Sequence, residues 1–178
     1  MSADELARFN KLPAAAAQAA LLTCCNSLTW VERMLSGRPY SSAMDAIRQS
    51  RAIVARLAIP DLEAALAGHP RIGEKHSQVR PEDEPGAARS AQLSAQEQAA
   101  VADSDADTAT ALAESNLEYE ERFGHIYLVC ATGKTGPQLL ALLRARLSNS
   151  PAAEWQVVRT ELQKINEIRL QQMLAALA

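Results

Sequence analysis

Ala14-Ala-Ala-Ala-Gln-Ala-Ala-Leu-Leu-Thr-Cys-Cys25 is the run from which the fold is read. Alanine loses the least entropy on entering a helix, and a helix that is apolar nearly all round belongs in an interior. The bias extends along the chain: 35 of its 178 residues are alanine, whereas Val, Ile and Thr, which favour strands, number seven each. The expected architecture is all-α, one compact helical domain over residues 1–178 with about seven to nine helices and no substantial sheet.

Working outward, Ser2-Ala-Asp-Glu5 fits a capping box that opens a first helix ended by Pro13. A helix is predicted from Ser27 to Ser36, stopped by Gly37, and another from Ser42 to about Ala58. Pro60-Asp61 begins a short helix that Gly68 caps. Residues 69–93 hold three prolines, two glycines and no apolar period, and so read as one long irregular stretch. Ser94 to Arg122 reads as a long helix, bent near Asp103–Asp107. His125-Ile-Tyr-Leu-Val-Cys-Ala131 is the one β-like run. Pro137–Leu147 and Pro151–Leu177 complete the helices.

Composition excludes several function classes. A formal charge of −3 offers no electrostatic footprint for nucleic acid or anionic lipid. No apolar run approaches the roughly 20 residues of a membrane span, and Met-Ser-Ala-Asp-Glu lacks the pattern of a signal peptide. Three cysteines, two of them adjacent, make no disulfide framework, and the cytoplasm is the expected compartment. Cys24 and Cys25 diverge by about 100° on a helix and no Cys-x-x-Cys occurs, so no metal site is expected.

Chemistry then narrows to a few residues. Of three histidines, His69 stands between a glycine cap and Pro70, which favours an extended backbone. It leaves a helix end as a group that titrates near neutrality, suited to acid–base work or simply to capping. His76 reads as exposed, and His125 as packing or pocket edge. Gly133-Lys134-Thr135 imitates a phosphate-binding loop, but the required first glycine is replaced by Leu128, and nucleotide hydrolysis is rejected. Ser94-Ala-Gln-Glu97-Gln98 is a capping box whose carboxylate and amide also suit a urea-like ligand. Arg169 lies along the core-facing edge of its helix, where an arginine is usually snorkelling or ion-paired, and its functional option is a carboxylate clamp through its planar fork.

Taken in order, Cys24-Cys-Asn-Ser-Leu-Thr-Trp30, Arg38-Pro39, Gly68-His-Pro-Arg-Ile-Gly-Glu-Lys75, Ser94-Ala-Gln-Glu97-Gln98, Tyr119 through Phe123-Gly124, and Ile165-Asn-Glu-Ile-Arg169-Leu170 resemble one family across essentially the whole chain. That family is 2-oxo-4-hydroxy-4-carboxy-5-ureidoimidazoline (OHCU) decarboxylase, of the urate-degradation pathway. The resemblance implies an all-helical carboxy-lyase that uses no cofactor, acts on a small molecule, forms a homodimer and produces (S)-allantoin and carbon dioxide. It assigns catalytic roles to His69, Glu97 and Arg169. It assigns substrate contacts to Pro70, Ser94 and Gln98, and largely backbone contacts to Tyr127, Leu128, Val129, Cys130 and Ala131. Two positions depart from the common pattern: Arg71-Ile72 stands for Asp-Leu, and His125-Ile126 for Phe-Pro. The competing expectation is a helical interaction module that keeps the fold without the activity.

Overall fold

The computed structural model describes residues 3–73, 93 and 105–177. Among them are eight helices and no strand: α1 (Ala3–Lys11), α2 (Ala14–Leu22), α3 (Leu28–Ser36), α4 (Ala43–Val54), α5 (Ile59–Ala67), α6 (Ala106–Phe123), α7 (Gly136–Arg146) and α8 (Pro151–Ala175). The all-α reading of the sequence is therefore correct. The chain groups into two compact units, one holding residues 3–68 and 163–177, the other 69–73, 93 and 105–162.

In the first unit α3 packs against α2, α4 and α5. Its side of this packing is Trp30, Val31 and Met34, all fully buried, against neighbours that bury Leu21, Ile47, Val54 and Leu62. Each such side chain contributes about 1.5–3 kcal/mol on leaving water. Ser27 starts α3 by accepting a hydrogen bond from the Trp30 amide, and the Trp30 indole N–H donates to Ser50 Oγ at 3.1 Å. Arg38 closes the preceding helix pair differently: its Nη1 donates to the carbonyls of Phe9 (2.8 Å) and Leu12 (3.0 Å), capping α1 with a cation. Tyr40 is pinned by two hydrogen bonds between its backbone and the Asn10 side chain, and its hydroxyl donates to Met34 O. Burial pushes that phenol up to about 12. The later half of α8 joins α4 through an Arg51–Glu167 ion pair and a Gln163 amide bonded to Arg51 O.

The second unit is built on α6 and α7, which lie against each other. Its core gathers Ile72, Leu112, Tyr119, Tyr127, Val129, Ala131, Leu139 and Leu143. Gly124 ends α6 at φ +76°, donating its N–H to Glu120 O, a backbone geometry that side chains disfavour.

Four readings differ from expectation. The run Ala14–Cys25 is helical only to Leu22, and α2 buries Ala17 and Leu21 while Ala14, Ala15, Ala16 and Gln18 stay exposed, so it is not enclosed all round. The helix begun by Ser42 stops at Val54 rather than near Ala58, because the chain tightens into i→i−3 bonds at Arg56 and Leu57 and Ala58 is extended as the N-cap of α5. The long helix expected from Ser94 has a start of its own at Ala106, where the Asp105 carboxylate accepts from the Thr108 amide; residues 94–104 lie outside those described. The β-like run 125–131 belongs to no strand among the described residues. Its apolar character reflects burial, which periodicity does not separate from sheet pairing.

Candidate active site

His69 follows directly on Gly68, the residue that closes α5, and is partly buried. Gly68 is required by packing: a Cβ there would come within 2.9 Å of Asn26 Cβ. The turn at Cys24–Asn26 therefore lies tight against the end of α5. Asn26 also reaches Ala64 O from the same turn.

The Cys25 thiol of the same turn is buried and lies within reach of the Arg169 charge of α8. Burial raises the thiol pKa, and the Asn166 amide and Arg169 charge only partly oppose that. Arg169 is 1% exposed, so the snorkelling alternative is wrong: its guanidinium belongs to the interior of the first unit. Asn166, one turn earlier on α8, is fully buried as well. Within this unit, then, the Cys24–Asn26 turn touches both Gly68, the residue before His69, and the Arg169 environment.

Pro70, next to His69, is partly buried, and the following residues are firmly attached to α6. Arg71 donates to both carboxylate oxygens of Glu120, from Nη2 at 2.9 Å and from Nε. Asn116 Nδ2 donates to Ile72 O at 2.9 Å, and the Ile72 side chain enters the core cluster.

Tyr127, Leu128, Val129, Cys130 and Ala131 are all buried. Among the described residues no strand pairs with them, and side chains bond three of their backbone groups. Arg146 Nη1 donates to Leu128 O (2.7 Å), the Cys130 N–H donates to Glu161 Oε2 (2.9 Å), and Lys134 Nζ donates to Cys130 O (2.6 Å). Lys134, the lysine of the phosphate-loop imitation, is thus occupied in holding its own turn. His125 stacks at 4.3 Å on Trp155 and meets Tyr119 edge-on, which makes it a packing residue.

Beneath the segment lies a buried network that inspection of the sequence did not single out. Glu154 is bonded by Arg146 (Nε at 2.7 Å, and Nη2), by the Tyr119 hydroxyl and by Asn149 Nδ2 at 2.7 Å. The Arg146 guanidinium also lies over the Tyr127 ring, 4.7 Å from its centroid. Burial pushes the Glu154 carboxyl up, but the hydrogen bonds from Arg146, Tyr119 and Asn149 outweigh it and hold the pKa below the ordinary value. Burial raises the phenols of Tyr119 and Tyr127. The only signal for this network was spacing: Glu154, Val158, Glu161, Leu162 and Ile165 lie on one face of α8, so Glu154 and Glu161 share the stripe of buried apolar residues. Ser94, Glu97 and Gln98 lie outside the described residues. Among those described, no group of three or more His, Cys, Asp or Glu side chains converges as a metal site, and no helix is long and apolar enough to cross a membrane.

The OHCU decarboxylase family model matches residues 10–171. The chain belongs to the OHCU decarboxylase family. It is 31% identical over 154 residues to the uric acid degradation bifunctional protein TTL of Arabidopsis thaliana, covering 85% of this chain and 45% of that protein. The chain therefore spans about half the length of that bifunctional relative. It is 29% identical over 139 residues to the 2-oxo-4-hydroxy-4-carboxy-5-ureidoimidazoline decarboxylase of Amia calva, covering 78% of this chain and 76% of that one. A crystal structure of OHCU decarboxylase in the presence of (S)-allantoin superposes with a TM-score of 0.72 at 26% identity, over 88% of this chain and 98% of the other. An (S)-allantoin synthase structure superposes with a TM-score of 0.67 at 15% identity, over 94% of this chain and 53% of the other, and is alike in fold. The family match takes in His69, Ser94, Glu97, Gln98 and Arg169, together with the 127–131 segment.

Proposed function

We propose that this OHCU decarboxylase family member converts 2-oxo-4-hydroxy-4-carboxy-5-ureidoimidazoline to (S)-allantoin and carbon dioxide, as a carboxy-lyase of urate degradation. The observation that carries this reading is the likeness to a decarboxylase structure obtained in the presence of (S)-allantoin, over 98% of that chain. It is supported by a partly buried His69 on a firmly anchored loop and an Arg169 held in the interior.

In this reaction the bond from the ring carbon to its carboxylate breaks and carbon dioxide leaves. The electron pair stays on carbon, delocalised into the imidazoline ring, until a proton arrives on one face. The protein must orient the carboxylate, balance the developing charge and deliver that proton stereospecifically. His69 is the group for proton transfer or for polarising the hydroxyl and carboxylate. Arg169 supplies positive charge with a planar donor fork suited to carboxylate. Glu97, with Ser94 and Gln98, offers the mixed acceptor and donor pattern that a ureido group needs. Pro70 and the backbone of Tyr127, Leu128, Val129, Cys130 and Ala131 shape the substrate contact. These groups carry the chemistry without a cofactor. The active form is a homodimer, and the buried cysteine thiols suit a reducing cytoplasm.

The test generates the unstable substrate from urate with urate oxidase and the following hydrolase, then follows its decay and the optical activity of the allantoin formed. The wild-type chain accelerates decay and enriches the S enantiomer. His69→Ala loses that acceleration by about 100-fold or more while its far-UV circular dichroism is unchanged. A wild-type chain that leaves the decay at its spontaneous rate is the interaction module instead.

A further inference from the structure

We propose that Asn116 and Glu120, one turn apart on α6, are positioning residues that hold the His69 loop in its working place. The proposal rests on the reading of His69 as catalytic. Beyond Gly68 the chain runs His69-Pro70-Arg71-Ile72-Gly73. Pro70 fixes its own φ and restrains His69 toward an extended backbone, so the loop moves largely as a unit. Its displacement is then decided where it is fastened, and the fastenings follow His69 by two and three residues.

Two of them go to one face of α6, and the third, the Ile72 side chain, enters the core cluster to which α6 contributes. The Ile72 side chain, buried in the core cluster, joins Leu112 and Tyr119 there. The Ile72 carbonyl accepts from Asn116 Nδ2 at 2.9 Å, and Asn116 is 3% exposed. The Arg71 guanidinium is gripped at both ends of its fork by the Glu120 carboxylate. Residues 116 and 120 are i and i+4, stacked on one face of the helix. One apolar contact, one neutral hydrogen bond and one bidentate ion pair therefore set the height and the rotation of the loop together.

Stability alone is a weak account of the ion pair. The Arg71 side chain is 40% exposed, and ion pairs so exposed contribute about 1 kcal/mol or less. Catalysis is more sensitive, because a displacement of about 1 Å of a reacting group can cost about 100-fold in rate. A pair that adds little to folding yet fixes a loop two residues from an acid–base histidine should therefore be read most clearly in turnover.

The experiment compares the full-length wild type with His69→Ala, Arg71→Ala, Glu120→Arg, Asn116→Ala and the charge swap Arg71→Glu/Glu120→Arg. Each is measured for kcat and KM per folded molecule and for thermal midpoint. Glu120→Arg and Asn116→Ala should lower kcat about tenfold or more with KM changed less than about threefold, and Arg71→Ala should move the same way by less. The charge swap should recover most of the loss in Glu120→Arg, since it rebuilds the pair with the partners exchanged. Wild-type kcat in Glu120→Arg and Asn116→Ala, with lowered midpoints only, overturns the proposal by reducing both residues to stability roles. An impaired Glu120→Arg that the swap leaves impaired overturns the pairing. Full activity in His69→Ala overturns the reading beneath it, a result distinct from an inactive His69→Ala beside fully active Asn116 and Glu120 variants.

Discussion

Two glycines at helix ends illustrate how differently single residues act here. At Gly124 φ is +76° and an added Cβ meets nothing within 4 Å, so Gly124→Ala carries backbone strain alone. The expected loss is about 1–2 kcal/mol, read as a lower thermal midpoint with unchanged kcat. At Gly68 the backbone is ordinary, but the Cβ would stand 2.9 Å from Asn26. Gly68→Ala should therefore displace the Cys24–Asn26 turn or the end of α5, and both border functional candidates: His69 is the next residue, and Cys25 feels Arg169. Steady-state kinetics should show altered KM or kcat in Gly68→Ala even where the melt changes little. Of these, the sequence made Gly68 legible as a helix end and His69 as a presented side chain. It could not show why Gly68 must lack a side chain, since Asn26 is distant along the chain.

At the scale of elements, the 127–131 segment is the instructive one. Its continuous apolar character imitates a strand, yet no strand pairs with it among the described residues. Arg146, Glu161 and Lys134 take over the hydrogen bonds that a sheet would have made. Removing the acceptor in Glu161→Ala should leave the buried Cys130 N–H unsatisfied and cost about 1–3 kcal/mol in urea melts. Glu161→Gln keeps an acceptor and should recover most of that stability. If the segment contacts substrate as proposed, KM should rise in the alanine variant and return toward wild type in the glutamine one. Helix starts at Ser27 and Ser42 were readable, because caps act locally: each accepts from an amide three residues on. The same device at Asp105 reads in the sequence only as a bend in a longer helix. Ser42→Ala should cost about 1 kcal/mol by the same melts. The overlong α4 arose because the apolar period continues through Leu57, which is buried just beyond the helix end.

For the whole molecule, acid is the revealing condition. Glu154 is held ionised by Arg146, Tyr119 and Asn149, so its pKa lies below the unfolded value near 4.5. A depressed carboxylate contributes stability that is fully present above the unfolded pKa and is lost as pH falls through the folded one. The thermal midpoint should therefore drop steeply below about pH 4.5, and the slope there should be shallower in Glu154→Gln. At neutral pH, Glu154→Ala should be destabilised by about 3–5 kcal/mol, because Arg146 would be left as an uncompensated buried charge. What the sequence determined by itself was everything that depends on composition, local period and nearby residues: the helical class, the caps, the exclusion of a phosphate loop, and the ordered motifs of the family. Only the tertiary structure decided which charged residues go inside. Arg146, Glu154 and Glu161 are unremarkable charges on amphipathic helices, and Arg169 is a candidate whose burial is undecided, until partners from distant parts of the chain meet them. The physical reason is that an ionised group enters the interior only where opposite charge and hydrogen bonds replace its water, and those replacements come from residues brought near by folding.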